Sequence, residues 1–113
     1  MSSATTRALL VDDEAPARLA LRQALAGHAD VEVVGECGNA AEVLQAIEAL
    51  APDLLFLDIQ MPGADGFRLL RNLGGRALPM VVFVTAFSQH ALRAFDARAL
   101  DYLLKPIRFF SAE

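Results

Sequence analysis

Four uninterrupted apolar runs frame this chain, and each ends on a residue with its own chemistry. Ala8-Leu9-Leu10-Val11 runs into Asp12-Asp13, and Leu54-Leu55-Phe56-Leu57 into Asp58. Met80-Val81-Val82-Phe83-Val84 runs into Thr85, and Tyr102-Leu103-Leu104 into Lys105. Runs of this length without polar alternation fit strands buried on both faces, as in a parallel sheet. A further strand is predicted over Val31–Cys37.

Between these runs the apolar spacing becomes helical. A helix is expected from Ala15, with Pro16 in a first turn whose N–H groups have no helical partner. Leu21, Ala24 and Leu25 recur at helical spacing, and Gly27 marks the stop. Asn39 reads as an N-cap with Glu42 three residues on, the pattern of a capping box. Ala40, Val43, Leu44 and Ile47 would form one apolar helical face, ended by Pro52. Ile59-Gln60-Met61-Pro62-Gly63-Ala64-Asp65-Gly66 reads as a loop from its Pro and Gly content. A third helix carries Phe67, Leu70 and Leu73, and a fourth is placed near 89–98. A strand over Asp101–Leu104 completes the set. Such alternation predicts an α/β fold: a doubly wound, five-stranded parallel sheet with right-handed crossovers. Only seven residues follow Pro106, at most two helical turns, so a shortened last helix is expected.

Composition narrows the function classes. The 113 residues are expected to form one domain, 1–113. A chain of that size buries about two-thirds of its unfolded surface. The net charge of −4, with no basic run, counts against nucleic-acid contact by this chain itself. A single cysteine, Cys37, excludes an internal disulfide and is placed as a strand-end core residue in a reducing compartment. No apolar stretch is long enough to cross a membrane, and residues 1–7 lack a signal-peptide core. A cytoplasmic location is the default expectation.

In an open parallel sheet, ligands bind in the crevice beyond the carboxyl ends of the strands. Three acids, a hydroxyl and an ammonium are predicted to share that edge. A carboxylate there can act as a nucleophile toward a phosphoryl group and form an aspartyl-phosphate. Both reactants are anionic, so a hard divalent cation is needed to neutralise and orient them. Mg2+ suits this task, needing one or two direct carboxylates plus phosphate oxygen. Asp13 and Asp58 fit as ligands, and Asp12 as a direct or water-mediated one. The loop after Asp58 can add a main-chain carbonyl. Lys105 and Thr85 can receive the phosphoryl oxygens, which bring about −1.5 to −2 charge and three acceptors.

Leu9-Leu10-Val11-Asp12-Asp13-Glu14, Phe56-Leu57-Asp58-Ile59-Gln60-Met61-Pro62-Gly63-Ala64-Asp65-Gly66, Val84-Thr85-Ala86 and Asp101-Tyr102-Leu103-Leu104-Lys105-Pro106 together resemble the motifs of two-component response-regulator receiver domains. Thr85-Ala86-Phe87 with Ala91-Leu92-Arg93-Ala94-Phe95-Asp96 is similar to receivers fused to LytTR-type DNA-binding domains. The resemblance implies a flavodoxin-like strand order of 2-1-3-4-5. It implies Asp58 as phosphoacceptor, Asp12 and Asp13 as the Mg2+ site, and the main-chain carbonyl of Gln60 as a further ligand. Thr85 and Lys105 would contact the phosphoryl group, Ala86 would leave access to it, and Tyr102 would be the aromatic switch partner of Thr85. The implied donor is a sensor histidine kinase. The implied output is a DNA-binding effector outside this chain, with self-association through the fourth helix, fifth strand and tail. Separately, the shortness of the stretch after Pro106 leads to the expectation that the exposed side of the last strand is covered by another chain.

Other readings stand beside these. Asp12 and Asp13 can cap the first helix, since acids favour helix starts. Tyr102 can be ordinary packing, and Phe109 and Phe110 can pack under the short tail or meet a partner. His28 and His90 have no partner at ligand spacing and read as surface residues. An aspartyl-nucleophile phosphatase would want a second acid two residues after Asp58, where Gln60 stands. A flavin module would want a phosphate-cradling loop after the first strand, where Asp12-Asp13-Glu14 would repel phosphate. The chain is therefore expected not to be an enzyme acting on outside substrates. A receiver working by protein contact alone is the remaining alternative.

Overall fold

The structure is a computed structural model that describes residues 5–58, 60–61, 64–65, 79–85 and 101–104. In chain order the elements are β1 (Thr6–Val11), α1 (Ala15–Leu25), β2 (Val31–Cys37), α2 (Val43–Leu50) and β3 (Leu54–Asp58). Two short strands follow, β4 (Gln60–Met61) and β5 (Ala64–Asp65), then β6 (Met80–Thr85) and β7 (Asp101–Leu104). The main sheet has the order β2-β1-β3-β6-β7 and is parallel throughout. This is the predicted 2-1-3-4-5 arrangement. The predicted third and fourth helices and the shortened last helix lie outside the described residues.

The continuous apolar runs are explained by burial on both faces of the sheet. Leu9, Val11, Leu55, Leu57, Val81 and Phe83 point into one core with Val43 and Cys37, against Ala46, Ile47 and Leu50 of α2. Ala8, Leu10, Phe56, Val82 and Val84 form the other core with Leu21, flanked by Leu25 of α1. The two-residue alternation of side chains along a strand sends neighbours to opposite cores. Each fully buried Leu or Phe contributes on the order of 1.5–3 kcal/mol.

Local signals place the two helices. Pro16 falls in the first turn of α1. Before α2, the Asn39 side chain accepts from the Glu42 N–H at 3.1 Å. The Glu42 carboxylate accepts from the Gly38 N–H at 3.0 Å, one residue earlier than a capping box requires. A short 3-10 turn, Ala40–Glu42, therefore precedes the α-helix. The α2 face differs from expectation: Val43, Ala46, Ile47 and Leu50 meet the core, whereas Leu44 is exposed. Leu44 follows Val43 by one helical step of about 100°, which carries it off the buried stripe. The helix ends at Ala51, which adopts a left-handed conformation (φ 48°, ψ 57°) just before Pro52.

Two details matter near the edge strand β2. Its register against β1 shifts between Ala8 and Leu9, which pair with Val33 and Gly35. Gly35 also lies where a Cβ would come within 2.7 Å of the Leu50 side chain, so α2 can pack closely there. The loop expected after Asp58 contains a small antiparallel pair, Gln60 with Asp65 and Met61 with Ala64. The intervening Pro62-Gly63 dipeptide is a turn signal, and only two residues separate the strands. Among the described residues no helix is long and apolar enough to cross a membrane.

Candidate acidic site at the strand ends

The sheet order creates the site. From β1 the chain moves to β2 on one side, then returns past β1 to β3 on the other. The crevice between the ends of β1 and β3 is thus the topological switch point, where open α/β sheets bind ligands. Asp12 follows β1 directly and Asp58 is the last residue of β3.

Asp12 is only 1 % exposed and Asp58 only 4 %. The Asp12 N–H donates to the Cys37 carbonyl at 3.1 Å, extending the β1–β2 ladder by one rung. Its Oδ1 accepts from the Glu14 N–H at 2.9 Å. This side-chain turn directs the chain into α1. The N-cap position of α1 is Glu14, without a side-chain cap bond, so neither Asp12 nor Asp13 occupies it. Asp13 is exposed at the crevice mouth.

Asp12, Asp13 and Asp58 each bring one carboxylate oxygen within 4.8 Å of the others. Two carboxylates at that distance repel by on the order of 3 kcal/mol at an effective dielectric constant of 20. A hard cation among three oxygen donors turns that repulsion into attraction. The donor set is all oxygen and anionic, which fits Mg2+ and leaves room for waters and a substrate oxygen.

The remaining predicted residues divide by position. Thr85 ends β6 and pairs with Leu104 of β7, while its neighbour Val84 pairs with Asp58. Register therefore puts Thr85 at the same edge as Asp58. Tyr102 pairs with Phe83 within the sheet. Gln60 opens the small hairpin after Asp58. Lys105 and Ala86 lie outside the described residues, as do His90, Phe109 and Phe110. His28 is exposed and Cys37 is a buried strand end, both as expected.

Sequence reasoning missed one neighbouring group. Arg18 of α1 donates from Nη1 to the Asp12 carbonyl. Its Nε meets the Glu36 carboxylate at 2.8 Å, and Arg22 holds the same carboxylate at 2.6 Å. Hydrogen bonding from Arg22, reinforced by Arg18, keeps the Glu36 carboxyl below its ordinary value despite some desolvation. The available signal was two arginines four apart on a helix, a spacing that shares one face, and an acid next to the last residue of β2.

A family model described as the response regulator receiver domain matches residues 8–110. An uncharacterized response regulatory protein of Shewanella oneidensis is 52% identical over 99 residues, covering 88% of this chain and 42% of that protein. The transcriptional regulatory protein BtsR of Escherichia coli is 50% identical over 101 residues, covering 89% of this chain and 42% of BtsR. The chain thus spans about two-fifths of the length of these curated relatives. The response regulatory domain of MrkE from Klebsiella pneumoniae superposes with a TM-score of 0.80 at 36% identity, covering 91% of this chain and 85% of that one. With that family model matched along nearly its whole length, this chain belongs to the response regulator receiver domains of two-component systems.

Proposed function

We propose that Asp58 accepts a phosphoryl group from the phosphohistidine of a sensor histidine kinase. The observation that carries this reading is the convergence of the Asp12, Asp13 and Asp58 carboxylates within 4.8 Å at the sheet's switch point. Asp58 supplies the nucleophilic oxygen, fixed at a strand end in a largely desolvated position. A P–O bond forms at Asp58 as the P–N bond to the donor imidazole breaks, and the imidazole leaves with a proton from solvent. Asp12, Asp13, Asp58 and the Gln60 main-chain carbonyl would hold Mg2+, whose charge offsets that of the incoming phosphoryl oxygens. Lys105 and Thr85 contact those oxygens once they are in place.

The phosphoryl group then biases a two-state equilibrium, read through Thr85 and Tyr102. The chain stores a signal rather than turning over outside substrates: Gln60 stands where an aspartyl phosphatase would carry its acid. Output passes to a LytTR-type DNA-binding effector beyond this chain, in keeping with a relative named a transcriptional regulatory protein that is more than twice as long. Self-association would use the fourth helix, β7 and the tail. Cytoplasmic placement accords with the single buried thiol.

Acetyl phosphate labelling tests the assignment. Wild type should take up one phosphoryl group in the presence of Mg2+, and Asp58→Ala should take up none. Undiminished labelling of Asp58→Ala would move the acceptor elsewhere.

A further inference from the structure

Arg18 joins the acidic site to the edge of the sheet. It lies one turn into α1, the helix that starts at the turn bearing Asp12 and Asp13. Its Nη1 donates to the carbonyl of the peptide that links those two acids. Its Nε donates to Glu36 Oε1 at 2.8 Å, on the exposed side of β2. Arg22 fixes Glu36 from the next turn, through Nε at 2.8 Å and Nη2 at 2.6 Å to Oε2. Glu36 is thereby an oriented, ionised anchor rather than a free surface acid. A guanidinium can serve two acceptors at once through its rigid fork, and an ammonium on a flexible stem cannot reproduce that geometry.

We propose that Arg18, anchored by Glu36, is a positioning residue that fixes the Asp12–Asp13 peptide and so sets the affinity of the three-carboxylate cluster for Mg2+. This rests on the cation reading of that cluster. Arg18 does not touch the cation; it orients the turn that carries two of the ligands. Charge and positioning act with opposite signs here. Arg18 is a positive charge close to an acidic site, so by Coulomb's law alone its removal tightens cation binding. Loosening the peptide weakens binding, and groups that orient metal ligands typically govern about 10–100-fold in affinity.

The test is calorimetric titration of the whole chain with Mg2+ for wild type, Arg18→Lys, Arg18→Ala and Glu36→Gln. Thermal unfolding without metal is recorded for each. Arg18→Lys and Glu36→Gln keep nearly the same side-chain volume, so the comparison stands on folded proteins. Wild type should bind at one site, and Arg18→Lys and Arg18→Ala about 10-fold more weakly or worse, with a smaller loss for Glu36→Gln. Retention of wild-type affinity by Arg18→Lys, or tighter binding by Arg18→Ala, would overturn the positioning role while leaving the Mg2+ site intact. Wild type that binds no Mg2+ would overturn the cation reading and the positioning role with it.

Discussion

Asp12 and Asp58 are carboxylates almost wholly withdrawn from water, and their oxygens come within 4.8 Å of each other. Their positions were legible because each acid terminates an apolar run and a parallel sheet aligns such ends. Asp13 was legible for the same reason. Arg18 and Glu36 were not, because their contact depends on how α1 lies over the β1–β2 edge. Cys37 gives a separate prediction at this scale. Burial pushes its thiol from an ordinary 9.0 up to about 11, so the fold favours the neutral form. The resulting stabilisation is complete below pH 9.0 and is lost as pH rises through about 11. Urea unfolding should show wild type losing stability over that window more steeply than Cys37→Ala, in which nothing titrates at this position. Parallel pH profiles for the two proteins would refute the burial argument.

At the scale of elements, the apolar runs located β3 and β6 closely, because a strand buried on both faces leaves no ambiguity of phase. The face of α2 was harder to read. Leu44 resembles its core-facing neighbours in chemistry, and only its angular offset from Val43 sends it outward. The hairpin after Asp58 was hidden by the same Pro62-Gly63 pair that marked the segment as a loop. Ala51 offers a direct test of helix termination. A left-handed residue with a side chain costs about 1–2 kcal/mol, while glycine gives back roughly 0.4–1 kcal/mol through unfolded-chain entropy. Ala51→Gly should therefore stabilise the domain by up to about 1.6 kcal/mol in denaturant unfolding. A loss of stability would mean that the Ala51 backbone is not strained.

For the whole molecule, the alternation of strands and helices indicated a doubly wound sheet, and the family resemblance supplied the strand order. That order matters because it makes the β1 and β3 ends adjacent and so assembles the acidic cluster from segments far apart in the chain. The scaffold holding those ends is the pair of cores on either side of the sheet. Phe83, fully buried on β6 within the α2-side core, is its largest side chain among the described residues. Phe83→Ala should cost about 3–5 kcal/mol, measured by urea unfolding. A loss below about 1 kcal/mol would show that the core can collapse around the gap. What this scaffold serves is chemistry at one strand end. Its most direct test is peptide mapping by mass spectrometry after incubation with acetyl phosphate, with and without Mg2+. One phosphoryl group is expected, located on Asp58 and formed only when Mg2+ is present. A phosphoryl group on another residue, or equal modification of Asp58 after chelation of the metal, would contradict that assignment.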